Sequence, residues 1–122
     1  MTKKKILIVD DEVQINKMLA IRLQANGYDT LSAFDGEQAL EQAKVGNPDL
    51  VILDVMMPKL DGFEVCRRLK NDAALRNIPV LMLSVKVEEG ARDWARVSGA
   101  NDYLAKPFEA EVLLEKIRKL LK

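Results

Sequence analysis

The sequence predicts an α/β protein in which five parallel strands form a doubly wound sheet and five helices cover its two faces. The first observation is a series of short apolar runs, each ending at a charged or hydroxyl-bearing residue. Continuous apolar runs of this length are typical of strands buried on both faces of a parallel sheet. The second observation is that the intervening segments carry apolar residues at helical spacing. This alternation of strand and helix indicates parallel strands joined by helical crossovers, and 122 residues fit one domain, residues 1–122.

The chain begins with a strand and a helix. Residues 6–9 are the first apolar run, and the helix follows over about residues 13–26. We expect its apolar face to carry Ile15, Met18, Leu19 and Leu23. Gly27 should end the helix, because glycine readily adopts the left-handed conformation common after a helix C-terminus.

The next segment leads to the central strand. Residues 28–34 form a partly polar strand, as expected at a sheet edge. Asp35 and Gly36 fit a hairpin turn, but helical spacing follows them and favours a second helix instead. That spacing is formed by Ala39, Leu40 and Ala43. A turn at residues 47–49 then precedes the fully apolar strand at residues 50–53, which runs directly into Asp54.

The second half repeats the pattern. A third helix starts at residues 61–62 and should bury Val65, Cys66 and Leu69. The fourth strand covers residues 78–83, and a fourth helix covers about residues 88–98 before Gly99. A short fifth strand at residues 102–105 leads to the last helix. That helix should bury Leu113, Leu114, Ile117, Leu120 and Leu121.

Composition narrows the classes of function. The chain has 19 basic and 19 acidic residues, so its charge gives no reason to expect a nucleic-acid or membrane partner. No apolar run reaches membrane-spanning length, and the first residues do not resemble a signal peptide. The single cysteine, Cys66, excludes an internal disulfide and fits a cytoplasmic location. With no histidine in the chain, catalysis by its own imidazole is excluded.

Polar residues that suit phosphoryl chemistry follow four of the strands. Asp10 and Asp11 follow the first, Asp54 the third, Ser84 the fourth and Lys106 the fifth. In open α/β sheets this carboxyl edge is where ligands bind. Closely packed carboxylates repel by about 4 kcal/mol per pair at an effective dielectric near 20. They therefore take up protons or hold a hard cation such as Mg²⁺, while a lysine and a hydroxyl would clamp a phosphoryl group on Asp54 as nucleophile.

Each of these residues also has an ordinary structural interpretation. Asp10 or Asp11 could cap the first helix, and Ser84 could cap the fourth. Asp54 could simply begin a turn, and Lys106 could be a solvated surface lysine. Their joint occurrence at one sheet edge favours a functional site.

The motifs together resemble the receiver domain of bacterial two-component response regulators, including single-domain chemotaxis-like regulators. The matching stretches are residues 6–12 (ILIVDDE), 53–58 (LDVMMP), 61–62 (DG), 83–84 (LS) and 99–108 (GANDYLAKPF). The resemblance covers essentially the whole chain. It implies a flavodoxin-like strand order, 2-1-3-4-5, and one receiver domain.

The resemblance also implies roles for individual residues. Asp54 is the expected phosphoacceptor. The expected ligands of Mg²⁺, or of Mn²⁺, are Asp11, Asp54 and the backbone carbonyl of Met56, with Asp10 acting mainly through water. Lys106 is expected to contact the phosphoryl group, Ser84 to be the switch hydroxyl and Tyr103 the switch aromatic. A serine stands at position 84 where threonine is commoner, and it keeps the hydroxyl.

Further expectations concern the lifetime of the phosphoryl group and the partners. Met56 and Lys86 flank the expected path of the hydrolytic water, and neither is a good base at neutral pH. The phosphodonor is expected to be a sensor histidine kinase or a histidine phosphotransfer protein. The output surface is expected on the fourth helix, the fifth strand and the last helix. Trp94 either covers the core there or anchors an output partner or a phosphorylation-dependent homodimer.

Three other functions compete with a signalling switch that catalyses only its own phosphoryl transfer and slow autodephosphorylation. A haloacid-dehalogenase-type phosphatase needs a second aspartate two residues after its nucleophile, where this chain has Met56. A nucleotide- or flavin-binding domain needs a glycine- or hydroxyl-rich loop after the first strand, where this chain has Asp10 and Asp11. A receiver that serves only as a scaffold would not need the complete set of acidic residues and lysine.

Overall fold

The sheet has the expected order. The computed structural model describes residues 3–57, 60–84 and 98–122. Its parallel strands are β1 (Lys5–Val9), β2 (Asp29–Ala33), β3 (Leu50–Asp54), β4 (Val80–Ser84) and β5 (Asp102–Ala105). They are arranged β2-β1-β3-β4-β5, so the predicted order 2-1-3-4-5 is confirmed.

Helices pack on both faces of this sheet. Those within the described residues are α1 (Val13–Ala25), α2 (Gly36–Gly46), α3 (Gly62–Lys70) and α4 (Ala110–Leu120). The predicted fourth helix, residues 88–98, falls mostly on residues outside those described, so α4 corresponds to the last predicted helix. None of the helices in the described part of the chain is long and apolar enough to cross a membrane.

Successive side chains of the central strands point to opposite faces of the sheet and pack into two separate hydrophobic cores. On one face, Leu7, Val51 and Met82 join a cluster with residues of α2 and α3. On the other face, Ile8 and Ile52 join residues of α1 and α4. Burial on both faces explains why the central strands read as continuous apolar runs.

Helix ends follow the predicted signals. The Asp35 side chain accepts a hydrogen bond from the Gln38 backbone N–H at 2.8 Å and caps α2, which confirms a helix start instead of a hairpin. Asp61 caps α3 in the same way by accepting from Glu64 at 2.9 Å. Gly27, after α1, has φ +90°, the left-handed conformation expected of a glycine that ends a helix.

Two details of the predicted elements are wrong. Met18 was expected on the inner face of α1 but is 66% exposed, while Asn16 takes a buried position beside Leu19 and Leu23. The fourth strand starts at Val80 and not at residue 78. The Ile78 N–H donates to the carbonyl of Leu75, which keeps residue 78 in the preceding turn.

Candidate functional site

Three carboxylates meet at the carboxyl edge of the sheet. Asp10 and Asp11 directly follow β1, and Asp54 is the last residue of β3. Because β1 and β3 are hydrogen-bonded neighbours, their ends lie side by side. One carboxylate oxygen from each residue lies within 4.8 Å of the other two. The predicted convergence of these acidic groups is therefore present in the fold.

Lys106 reaches the same point from β5. Its Nζ lies 3.3 Å from Oδ2 of Asp10 and 3.6 Å from Oδ1 of Asp54. Its backbone N–H donates to the carbonyl of Ser84 at 2.7 Å, which ties it to the end of β4. Ser84 is fully buried and pairs in register with Ala105. Lys106 thus reaches the carboxylates from the end of β5, and Ser84 ends the neighbouring strand β4.

The environment of Asp54 disfavours its charged form. The side chain is almost completely buried, and this desolvation is the main reason why the pKa of Asp54 rises to about 6. Lys106 and the Met56 N–H, 3.3 Å from Oδ1 of Asp54, oppose the rise in pKa. The negative charges of Asp10 and Asp11 add to it. A bound cation would offset this repulsion and stabilise the ionised form of Asp54.

The donor set fits a hard divalent cation. The cluster offers three carboxylates and no sulfur or imidazole within the described residues, which matches the preference of Mg²⁺ for oxygen ligands. Asp11 is only half-buried, so one side of the cluster is open to a ligand. Three acidic side chains face one lysine, and this leaves a negative balance for a cation to neutralise.

Gly62 brings α3 close to the end of β3. A Cβ at this position would clash with the backbone carbonyl oxygen of Asp54 and lie 2.8 Å from Cα of Val55. The Gly62 N–H also donates to the Val55 carbonyl at 3.0 Å. The Asp-Gly pair in the sequence therefore serves two purposes, a capping carboxylate at Asp61 and a close approach of backbone at Gly62.

The remaining predicted residues are Tyr103 and Met56, which the structure describes, and Lys86 and Trp94, which it does not. Tyr103 is a β5 residue that packs, partly buried, against the α2–α3 core. The Met56 side chain is half exposed. Lys86 and Trp94 fall on residues that the structure does not describe. Asn16 was not among the predicted site residues, although a polar residue in register with Leu19 and Leu23 was a signal that could have identified it.

Comparison with known proteins identifies the same family that the motifs indicated. The family model for the response regulator receiver domain matches residues 6–118. A curated relative, the alkaline phosphatase synthesis transcriptional regulatory protein PhoP of Bacillus subtilis, is 44% identical over 119 residues. This match covers 98% of the chain but 49% of PhoP, so the chain spans about half the length of that relative.

Solved structures of similar length share the fold. A putative response regulator from Chloroflexus aurantiacus superimposes with a TM-score of 0.93 at 37% identity, and the match covers 98% of both chains. The chemotaxis protein CheY4 of Vibrio cholerae gives a TM-score of 0.92 at 33% identity, covering 98% of this chain and 100% of CheY4. The dehalogenase-type phosphatase considered from the sequence gains no support from these comparisons.

Proposed function

The chain belongs to the response regulator receiver family, and from this premise we propose that Asp54 is its phosphoacceptor in a two-component phosphorelay. The observation that carries the proposal is the meeting of Asp10, Asp11 and Asp54 within 4.8 Å, with Lys106 against two of them. We propose that residues 1–122 act as a single receiver domain and work in the cytoplasm.

The reaction is a phosphoryl transfer between two side chains. A carboxylate oxygen of Asp54 attacks the phosphorus of a phosphohistidine in the donor, so that a P–O bond forms as the P–N bond breaks. The leaving imidazole nitrogen keeps the electron pair and takes up a proton. These 122 residues contain no histidine, so the proposed donor lies outside them, in a sensor histidine kinase or a histidine phosphotransfer protein.

The acidic residues would hold the metal. Asp11, Asp54 and the backbone carbonyl of Met56 are the proposed ligands of Mg²⁺ or Mn²⁺, and Asp10 contributes through water. When bound, the cation would neutralise the carboxylates and share the oxygens of the phosphoryl group. Asp54 would then present an ionised oxygen to the donor, because nearby positive charge lowers a carboxyl pKa.

Lys106 and Ser84 recognise the transferred group. The Lys106 ammonium lies between Asp10 and Asp54, where it would donate to a phosphoryl oxygen added to Asp54. Ser84, buried at the end of β4, would donate its hydroxyl to another oxygen. This contact would favour a second arrangement of the β4–β5 edge, and the change would reach Tyr103, which pairs with Met82 of β4. The two arrangements differ in their contacts with the phosphoryl group, which is how phosphorylation shifts their populations.

An apolar groove beside the site supports a protein donor. The groove has a volume of about 890 Å³, and Lys106 is one of its lining residues. Apolar side chains of α1, of α4 and of the segment that precedes α4 line it, namely Ile15, Met18, Leu19, Ile21, Phe108 and Leu113. We propose that an amphipathic helix of the phosphodonor docks here, because a helix held against α1 would bring its histidine to the adjacent carboxyl edge.

Turnover is proposed to be slow. Met56, two residues after Asp54, has no group that accepts or donates a proton, and Lys86 is a poor base at neutral pH. The acyl phosphate should therefore persist long enough to signal.

The output partner is proposed to bind the surface of the predicted fourth helix, β5 and α4, where Trp94 would serve as an anchor or support phosphorylation-dependent dimerisation. A nucleic-acid partner is not expected from the balanced charge.

Incubation with acetyl phosphate tests the proposal. The protein should gain one phosphoryl group by intact mass when magnesium is present and none when it is chelated. Asp11→Ala should lose nearly all of the gain, whereas Glu12→Ala, the acidic neighbour outside the cluster, should keep it. Phosphorylation that proceeds equally well without a divalent cation would refute the proposed site.

A further inference from the structure

Asn16 occupies an unusual place in α1. It is 1% exposed and lies in helical register with the buried Leu19 and Leu23, on the face that packs against the sheet. An apolar residue would suit such a position, and burying an amide costs free energy unless it forms hydrogen bonds. The amide must therefore be explained by what it contacts.

The side-chain nitrogen of Asn16 joins the ends of two strands. Nδ2 lies 3.0 Å from the carbonyl oxygen of Ala33, which ends β2, and 3.2 Å from that of Asp10, which follows β1. A third carbonyl, that of Ile8 within β1, lies at 3.3 Å. The Asp10 N–H also donates to Ala33, at 3.2 Å. The amide thus links the ends of β1 and β2, and one of its acceptors is the carbonyl of Asp10, a member of the acidic cluster.

The hydrogen bond from Asn16 to the carbonyl of Asp10 fixes the backbone that carries two members of the acidic cluster. That carbonyl belongs to the peptide unit that links Asp10 to Asp11, so its orientation sets the directions in which both side chains leave the backbone. On the other side of the turn, Oδ1 of Asp10 accepts the N–H of Glu12 at 2.9 Å. The turn is therefore held both by its own side chain and by Asn16.

The side-chain oxygen of Asn16 is the second observation. Oδ1 of Asn16 is buried and accepts no hydrogen bond from the described residues. A leucine of similar size would remove this unsatisfied oxygen, and with it a source of instability. The donor side, with its three carbonyls, is what distinguishes asparagine from leucine here.

We propose that Asn16 is a positioning residue that pre-organises Asp10 and Asp11 for the cation and thereby controls metal affinity. This inference rests on the proposed function of the acidic cluster. Asn16 acts through the backbone of the turn and not on the metal or the phosphodonor. Groups that orient metal ligands in this way commonly change metal affinity by about 10- to 100-fold when they are removed.

Two substitutions separate this role from packing. Asn16→Leu keeps the volume and removes all donors. Asn16→Asp keeps the shape, and because burial disfavours the charged form, its carboxyl stays protonated and retains one donor. We expect Mn²⁺ affinity, measured by electron paramagnetic resonance, to fall in the order wild type, Asn16→Asp, Asn16→Leu. The loss should reach about 10-fold or more in Asn16→Leu.

The matched control is Leu23→Val, which disturbs the same buried face of α1 about two turns away and removes no hydrogen bond to the three carbonyls. It should lower stability to denaturant yet leave Mn²⁺ affinity unchanged. In the Asn16 variants, phosphorylation by phosphoramidate should require more magnesium for half-maximal rate, while the rate at saturating magnesium stays within a few-fold of wild type. A change in fold stability alone does not produce this split.

The outcomes distinguish the two proposals. Wild-type protein that binds no Mn²⁺ would refute the metal site itself. Wild-type protein that binds, with an Asn16→Leu variant that folds and binds equally well, would overturn only the role of Asn16. If Asn16→Leu does not fold, Asn16→Asp decides, since wild-type affinity in that variant also contradicts the proposal.

Discussion

At the scale of single residues, Asp54 is the member of the site whose charged form the fold disfavours. Its carboxyl is buried among two other aspartates, and its pKa rises from 3.8 to about 6 although Lys106 lies 3.6 Å away. The attraction of one lysine therefore does not outweigh burial and the repulsion of like charges. The residue that is proposed to accept the phosphoryl group is also one that destabilises the metal-free fold at neutral pH.

This raised pKa predicts how stability depends on pH. Between pH 3.8 and about 6 the folded state binds the Asp54 proton more tightly than the unfolded state does, so raising the pH through this window lowers stability. Asp54→Asn removes the charge and should stabilise the metal-free protein at about pH 7.5 by up to about 3 kcal/mol. The gain should shrink as the pH falls below 6 and vanish near pH 4.

Urea unfolding in the presence of a chelator measures this difference across pH. Asp29→Asn is a suitable control, because Asp29 is an exposed aspartate at the start of β2, away from the cluster. An Asp54→Asn protein no more stable than wild type at about pH 7.5 would show that burial does not penalise this carboxylate.

Ser84 gives a second prediction at this scale. Its position at the end of β4 is held through its backbone, since its carbonyl accepts the Lys106 N–H at 2.7 Å. Ser84→Ala should therefore leave Lys106 in place and still allow phosphorylation of Asp54. Without the hydroxyl, the shift after β4 should weaken, and amide chemical-shift changes on phosphorylation should be smaller in β5. Equal shift changes in the variant and the wild type would argue against a switch role for Ser84.

At the scale of elements, α1 is a described helix whose buried face differs from the predicted one. Ile15, Met18, Leu19 and Leu23 all fit an apolar stripe, yet the sheet selects a stripe that contains Asn16 and leaves Met18 exposed. Helical periodicity shows which residues share a face of an isolated helix. Which face is buried depends on the groups of the sheet against which the helix packs. Here the carbonyls at the ends of β1 and β2 supply partners for an amide.

The exposed side of α1 predicts how the donor docks. Met18→Glu and Ile21→Glu place a charge in the apolar groove and should slow transfer from a histidine-containing donor by about tenfold or more, equivalent to about 1.4 kcal/mol. Phosphorylation by acetyl phosphate should not change. Val45→Glu is the matched control, because Val45 on α2 is 73% exposed, similar to 66% for Met18 and 67% for Ile21.

The measurement is the rate of phosphoryl transfer from the phosphorylated donor, followed in samples quenched at successive times. The groove would be excluded as the docking surface if both α1 variants accepted phosphoryl groups from the donor at the wild-type rate. A variant that lost acetyl phosphate reactivity as well would indicate damage to the site instead of to docking.

At the scale of the whole molecule, the site exists only in the assembled sheet. Asp10 and Lys106 are separated by 96 residues yet lie 3.3 Å apart. The sequence identified the polar residues at the strand ends because each follows an apolar run. The distances between them depend on the strand order β2-β1-β3-β4-β5, which periodicity alone does not provide and which the family resemblance implied. The raised pKa of Asp54 likewise depends on burial by residues distant in sequence.

Metal should therefore stabilise the entire fold. A cation that binds only the folded state adds about 2.7 kcal/mol when it is present at a hundredfold excess over its dissociation constant. It also relieves the repulsion among Asp10, Asp11 and Asp54. Calorimetry should show a higher melting temperature in magnesium, and most of the rise should disappear in Asp11→Ala but not in Glu12→Ala. A melting temperature insensitive to millimolar magnesium would contradict a metal site in this pocket.

Locating the phosphoryl group on the protein tests most directly whether Asp54 is the phosphoacceptor. Wild-type protein is phosphorylated with acetyl phosphate and magnesium, the acyl phosphate is reduced with borohydride, and the peptides are sequenced by mass spectrometry. We expect the modified residue to be Asp54, with no modification in Asp54→Asn under the same conditions. A modified peptide that lacks Asp54 in the wild-type protein, or undiminished labelling of Asp54→Asn, would contradict the assignment of Asp54 as the phosphoacceptor.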